Sequence, residues 1–244
     1  MSKVAIVTGA SRGIGAAIAK RLAADGISVV VNYTAQPADA ERVVDEIVKA
    51  GGQAYAVLAD ISDSVAVEAL FDQAQMKFGG IDILINNAGV IQPGMVSLAD
   101  SDDALYQRIF AINTKGTFNT LRLAARHLRD GGRIVNFSTS VVGLALPGYS
   151  VYAASKAAVE SFTAIFAKEL RGRGICVNAI APGPTATELF LKGKSAEQVE
   201  RLAKQPPLER LGTPEDIAAV VAFLVSEQGG WVNGQTLRVN GGIV

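Results

Sequence analysis

Short β-branched runs alternate with longer, mostly amphipathic stretches along the whole chain. Residues 3–7, 28–32, 53–58, 81–85, 133–137, 175–180 and 235–239 are apolar runs of strand length. Residues 14–24, 38–50, 64–78, 105–128 and 150–170 carry apolar positions at helical spacing, and Gly51-Gly52 and Gly79-Gly80 stop two of them. A further helix opens at Thr213-Pro214-Glu215-Asp216, with threonine as N-cap, proline at the first position and acids in the first turn. Strands that read as continuous apolar runs and alternate with helices predict an α/β chain. The expected architecture is one doubly wound (Rossmann) domain over residues 1–244, a seven-stranded parallel sheet with helices on both faces.

Two places depart from this rhythm. Asn113, Thr114 and Gly116 fall near the middle of the helical stretch 105–128, where glycine costs about 1 kcal/mol against alanine, so a kink or a functional site is expected. Residues 188–207 are irregular with charged helical pieces and follow the end of a strand, which suits a substrate lid.

Composition narrows the classes. Of 244 residues 49% are hydrophobic, enough for a sizeable core, and the formal net charge of zero gives no basis for a nucleic-acid or membrane surface. The single cysteine, Cys176, excludes an internal disulfide and fits a reducing cytosol; in its apolar run it reads as a buried structural thiol. No signal peptide is expected from Met1-Ser2-Lys3 leading straight into a strand, and no apolar run nears the roughly 20 residues of a membrane span. His127, the only histidine, lies between Arg126 and Arg129 and reads as solvated, not as a base; without a Cys or His cluster no zinc site is expected.

The chemistry collects at the strand ends. Thr8-Gly9-Ala10-Ser11-Arg12-Gly13-Ile14-Gly15 joins the first strand to the first helix, so glycines admit a pyrophosphate to the free N–H groups of a helix start. The spacing is G-x-x-x-G-x-G, without the Lys-Ser/Thr of a P-loop. After the second strand come Asn32, Tyr33 and Thr34, where an NAD-selective chain offers an acid to the adenine ribose. No acid stands there, and Arg12 can meet a 2′-phosphate, which favours NADP(H) over NAD(H) unless Arg12 is simply exposed. Asp60 either contacts an adenine amino group or caps its own turn. Asn86-Asn87-Ala88-Gly89 ends the fourth strand where doubly wound sheets bind ligands, and Ser138-Thr139-Ser140 ends the fifth. Tyr152 and Lys156, four apart in a helix without Gly or Pro, share one face. A lysine there favours phenolate and draws the phenol from about 10 towards neutrality, as acid–base chemistry requires.

Taken together, Thr8-Gly9 to Gly15, Asn86 to Gly89, Asn113, Ser138 to Ser140, Tyr152 to Lys156 and Pro182-Gly183 fall in an order that resembles the short-chain dehydrogenase/reductase family, over residues 3–242. The resemblance is to 3-oxoacyl-carrier-protein reductases and NADPH-dependent aldehyde-reductase-like members. It implies Tyr152 as proton donor to a substrate carbonyl, Lys156 on the nicotinamide ribose, a serine bonding the substrate oxygen, and Asn113 holding a relay water. It also implies Gly9, Ser11, Arg12, Gly13, Ile14 and Gly15 around the phosphates, with Asn32 and Tyr33 on the adenosine side. Asp60 and Ile61 would sit at adenine, Asn87, Ala88 and Gly89 beside a ribose, and Pro182, Gly183, Thr185 and Thr187 at the nicotinamide. The family's serine stands about thirteen residues before the tyrosine, and that position here is Thr139. Ser140, which precedes Val141-Val142-Gly143, is the favoured hydroxyl, Ser138 the second and Thr139 the third.

The expected reaction is NADPH-dependent reduction of an aldehyde, ketone or 3-oxoacyl group. The alternatives are an NAD(P)-dependent alcohol or sugar dehydrogenase or epimerase, and a non-catalytic NADP-binding regulator. Small residues along the tyrosine helix (Ala153, Ala154, Ala157, Ala158 and Ala164) and the apolar run 231–239 predict a homotetramer, with a dimer as the smaller option.

Overall fold

The computed structural model describes residues 2–244, apart from the side chain of Leu189. Seven parallel strands form one sheet in the order β3-β2-β1-β4-β5-β6-β7. They are β1 (Val4–Val7), β2 (Ser28–Tyr33), β3 (Ala54–Leu58), β4 (Ile81–Asn86), β5 (Leu128–Phe137), β6 (Cys176–Pro182) and β7 (Thr236–Val239). The order reverses beside β1, so the cleft between the C-terminal ends of β1 and β4 is the topological switch point of the sheet.

Side chains alternate across the sheet and make two cores. Ala5 and Val7 of β1 face one side with Val29, Val31, Ile83 and Ile85, covered by α1 (Gly13–Ala24), α2 (Pro37–Lys49) and α10 (Pro214–Val225). Ile6 faces the other side with Val30, Leu84, Ile134 and Val177, covered by α3 (Ser64–Phe78), α5 (Thr117–His127) and the end of α7 (Ser150–Glu169). Leu22 of α1 and Leu70 of α3 are fully buried, one in each core, and truncation of either to alanine costs about 2–5 kcal/mol. Thr213 caps the start of α10, as expected, and Asp216 reaches back to it to complete a reciprocal capping box.

The long helical stretch 105–128 is three pieces. α4 (Asp103–Phe110) runs into a π-helical segment, Ala111–Gly116, before α5 begins. Gly116 lies against Ile61, whose Cδ1 would stand 2.6 Å from any added Cβ, and the Thr117 hydroxyl donates to the Asn113 carbonyl (2.8 Å). The helix also stops one residue early, because Leu128 is the first residue of β5 and pairs with Ile81. His127 is half-buried, with its ring edge-on to Phe71 at 6.0 Å; it packs rather than being solvated. Cys176 is buried at the start of β6. Residues 188–207 hold two short helices, α8 (Glu188–Leu191) and α9 (Ala196–Ala203), and a single turn, α6 (Val141–Leu144), precedes α7.

Candidate active site

The loop after β1 is shaped for close approach. Gly9 and Gly13 have φ of 61° and 55°, and a Cβ on Gly15 would stand 2.4 Å from the Gly9 carbonyl. The loop is held from both sides. Asn87 Nδ2 donates to the carbonyls of Thr8 (2.9 Å) and Gly9 (3.0 Å), and the Ala88 N–H donates to Thr8 Oγ1 (3.0 Å). On the other side Asn32 Oδ1 accepts from the Gly9 N–H (3.3 Å), while its Nδ2 donates to the carbonyls of Val57 and Ala59. Asn32 is thus buried and committed within the protein, so its side chain positions the loop and does not face a ligand.

α1 begins without a side-chain cap and without an acid in its first turn, leaving its leading N–H groups and the positive end of its dipole free for an anion. Ser11, Arg12 and Ile14 line this opening, with Arg12 exposed. Its guanidinium lies 3.6 Å from the Glu188 carboxylate, joining the start of α1 to the start of α8. Tyr33 packs partly buried at the end of β2. Asp60 is exposed and accepts from the Ser62 N–H (2.9 Å), so it caps its own turn, and the Ile61 side chain is buried beneath the π segment. A pyrophosphate-bearing dinucleotide fits this opening, because Gly15 leaves room no other residue would and the first turn of α1 carries no acid.

The ends of β4, β5 and β6 bring the remaining groups together. Lys156 is only 4% exposed, and its ammonium donates to the Phe137 carbonyl (2.8 Å). Burial pushes Lys156 down to about 8. Burial likewise raises the pKa of Tyr152, opposed by a side-chain hydrogen bond from Thr139 that favours the phenolate. This corrects the expectation that Lys156 draws the phenol towards neutrality: in the free protein its ammonium is tied to a backbone carbonyl, and desolvation of the phenol dominates. The phenol is therefore protonated at neutral pH, the form a proton donor needs.

The three consecutive hydroxyls have different partners. Ser140 Oγ donates to the Ala181 carbonyl (3.1 Å) and accepts from Asn240 Nδ2 (3.0 Å). Ser138 Oγ donates to Glu160 Oε1 (2.5 Å). Thr139, ranked last from the sequence, accepts from the Val141 N–H through Oγ1 (3.3 Å) and is the one of the three whose side chain favours the Tyr152 phenolate. The signal was present in the thirteen-residue spacing to Tyr152. Asn113 is buried in the π segment, accepts from the Val90 N–H (2.8 Å), and donates to the Val90 carbonyl (2.9 Å) and to the Ser155 hydroxyl (3.1 Å). Both hydrogens of its amide are used, and the side chain ties the loop after β4 to α7. Gly89 lies between them, where a Cβ would stand 3.2 Å from both Asn113 Oδ1 and Lys156 Nζ. Ser155, Thr8 and Asn240 are positioning residues that sequence reasoning passed over.

Beyond β6, Gly183 packs so closely on Asn240 that a Cβ would come within 2.7 Å. Pro182 ends β6, the Thr185 hydroxyl donates to the Gly183 carbonyl (3.0 Å), and Thr187 caps α8 beside Gly13.

Comparison with known proteins agrees with this geometry. A family model described as enoyl-(acyl carrier protein) reductase matches residues 9–244. A short-chain type dehydrogenase/reductase of Picea abies is 47% identical over 99% of this chain and 92% of its own length. An NADPH-dependent aldehyde reductase-like protein, chloroplastic, of Arabidopsis thaliana is 44% identical over 99% of this chain and 94% of its own. Among solved structures, a short chain dehydrogenase from Burkholderia cenocepacia in complex with NADP superposes with a TM-score of 0.92 at 41% identity, covering 99% of this chain and 97% of that one. With its switch-point cleft, glycine loop and Tyr152–Lys156 helix, the chain belongs to the short-chain dehydrogenase/reductase family of oxidoreductases.

Proposed function

We propose that the protein reduces a carbonyl to an alcohol with NADPH, Tyr152 being the proton donor and Thr139 the second hydroxyl on the carbonyl oxygen. The observation that carries this is Tyr152 one helical turn from a buried Lys156, whose ammonium donates to the Phe137 carbonyl at the end of β5, two residues before Thr139. Bound NADPH would supply the hydride. Tyr152 gives its proton to the oxygen as the carbonyl carbon accepts the hydride, and Thr139 donates a hydrogen bond to the same oxygen as its charge develops. Lys156 meets the nicotinamide ribose and lies one turn from the phenol that must regain a proton. The NADP complex of the Burkholderia relative and the NADPH-dependent Arabidopsis relative support the cofactor. So does Arg12, exposed at the start of α1, with no acid among Asn32, Tyr33 and Thr34.

We assign α8 and α9 to a substrate lid within one catalytic domain spanning 1–244. Phe190, Leu191 and Leu202 give it apolar surface, and Lys192, Lys194, Arg201 and Lys204 keep it charged. No described helix is long and apolar enough to cross a membrane, and the single buried thiol fits a reducing compartment such as the cytoplasm. Ala154, Ala157, Ala164 and Ile165 leave an exposed apolar face on α7, and Trp231, 98% exposed, lies just before β7. Two such self-complementary faces support a homotetramer.

The test follows NADPH absorbance with a panel of aldehydes, ketones and 3-oxoacyl thioesters. Thr139→Val should lower kcat by about 10²–10³, the cost of one donor to a developing oxyanion, while Thr139→Ser stays near wild type. Ser140→Ala outweighing Thr139→Val would overturn the assignment, and no turnover of any carbonyl would overturn the reaction.

A further inference from the structure

The end of β5 is gripped by the same helix that carries the acid. Lys156 Nζ donates to the Phe137 carbonyl (2.8 Å), and one turn further along α7 the Glu160 carboxylate accepts from the Ser138 hydroxyl (2.5 Å). Two successive turns of the helix therefore hold two successive residues of the chain, immediately before Thr139. Tyr152, Lys156 and Glu160 recur every four residues, so they form one stripe along α7. The neighbouring backbone is fixed on its other side by β6, through Ser138 N–H to the Ile180 carbonyl (2.8 Å) and Ser140 N–H to the Pro182 carbonyl (3.0 Å). Ser138 is 4% exposed and Glu160 half-buried, so the bond between them is partly shielded from water.

We infer that Glu160 is a positioning residue for the reaction: by holding Ser138 to α7 it sets the Thr139 hydroxyl against the Tyr152 phenol. The inference rests on Thr139 as the second donor to the carbonyl oxygen. In this role Glu160 acts through Ser138 and not on the reacting atoms. Its effect passes through the relative placement of a strand end and a helix, and a displacement of about 1 Å between reacting groups is enough to lower rate strongly. A carboxylate that merely steadied the fold would move stability and leave that placement alone.

The experiment compares Glu160→Leu, Glu160→Gln, Thr139→Val and the double variant Glu160→Leu/Thr139→Val. Steady-state rates are measured on the best carbonyl of the panel, and NADPH affinity by nicotinamide fluorescence. Glu160→Leu should lower kcat by about tenfold with KM and NADPH Kd held within about twofold. Glu160→Gln, whose Oε1 still accepts from Ser138, should return kcat to within about threefold of wild type. In the double variant Glu160→Leu should add nothing to Thr139→Val, because both act on one hydroxyl. Additive losses, a glutamine variant as slow as the leucine one, or an unchanged kcat in Glu160→Leu would overturn the inference. If Glu160→Leu does not fold, Ser138→Ala removes the same bond from its other end and enters the same cycle. Full activity of Thr139→Val overturns the reading of the site itself, whereas a slow Thr139→Val with additive Glu160→Leu overturns the positioning role alone.

Discussion

Lys156 carries a stability cost that its removal should expose. The side chain is 4% exposed, and burial brings it from 10.5 down to about 8. At about 1.4 kcal/mol per unit, holding the ammonium in the fold disfavours it by about 3 kcal/mol at pH 7. The bond from Nζ to the Phe137 carbonyl favours the charged form and reduces the expected net to about 2 kcal/mol. The sign follows from proton uptake. Between about pH 8 and 10.5 the unfolded chain still binds a proton that the folded protein has released, so stability rises with pH across that window. The deficit is complete below pH 8 and gone above 10.5. Tyr152, raised above 10, works in the opposite direction only beyond pH 10, which limits the useful range to pH 7–10. Lys156→Met keeps the stem and removes the charge. Urea unfolding of both proteins at pH 7, 8, 9 and 10 should show the wild type gaining about 2 kcal/mol relative to the variant by pH 10. The variant should have no measurable turnover. Parallel pH dependences, or a wild type that loses ground as pH rises, would refute the claim that a charged lysine is buried here.

Arg12→Ala should weaken NADPH binding by about tenfold while leaving NADH binding within about twofold. The loss sits at the low end for a charged hydrogen bond because Arg12 already has Glu188 as a partner in the free protein. Equal effects on the two dinucleotides in a fluorescence titration would remove Arg12 from the 2′-phosphate. Gly15→Ala should abolish tight dinucleotide binding by calorimetry, since its Cβ would stand 2.4 Å from the Gly9 carbonyl and push the loop out of shape; unchanged affinity would contradict the loop's role. Light scattering at micromolar concentration should give about four times the 25.4 kDa chain mass, and a monomer would exclude assembly through α7 and the Trp231 face.

The sheet was legible because parallel strands buried on both faces read as unbroken apolar runs, and 29–31 or 83–85 admit little else. The π segment announced itself through Gly116, a poor helix residue with no local excuse. The side chain that requires a glycine there, Ile61, lies 55 positions earlier and cannot be read from local pattern. The glycine loop and the Tyr152–Lys156 face were equally visible, being local arrangements. What stayed hidden were choices settled by distant partners. How Ser138, Thr139 and Ser140 are engaged depends on Glu160 claiming the first, the Val141 N–H the second and Ala181 with Asn240 the third. Asn32 looked like a ligand contact for the same reason: its partners are at the end of β3 and in the glycine loop, and only the folded sheet brings them to it.

The account stands most directly on Tyr152. Tyr152→Phe removes one hydroxyl and leaves the ring, Lys156 and the glycine loop in place. Single-turnover mixing of the variant with NADPH and the best carbonyl of the panel isolates hydride transfer from binding and release. The expected result is a rate lowered by about 10²–10⁴-fold with NADPH affinity within about twofold of wild type. A variant that keeps more than about a tenth of the wild-type rate would contradict Tyr152 as the proton donor.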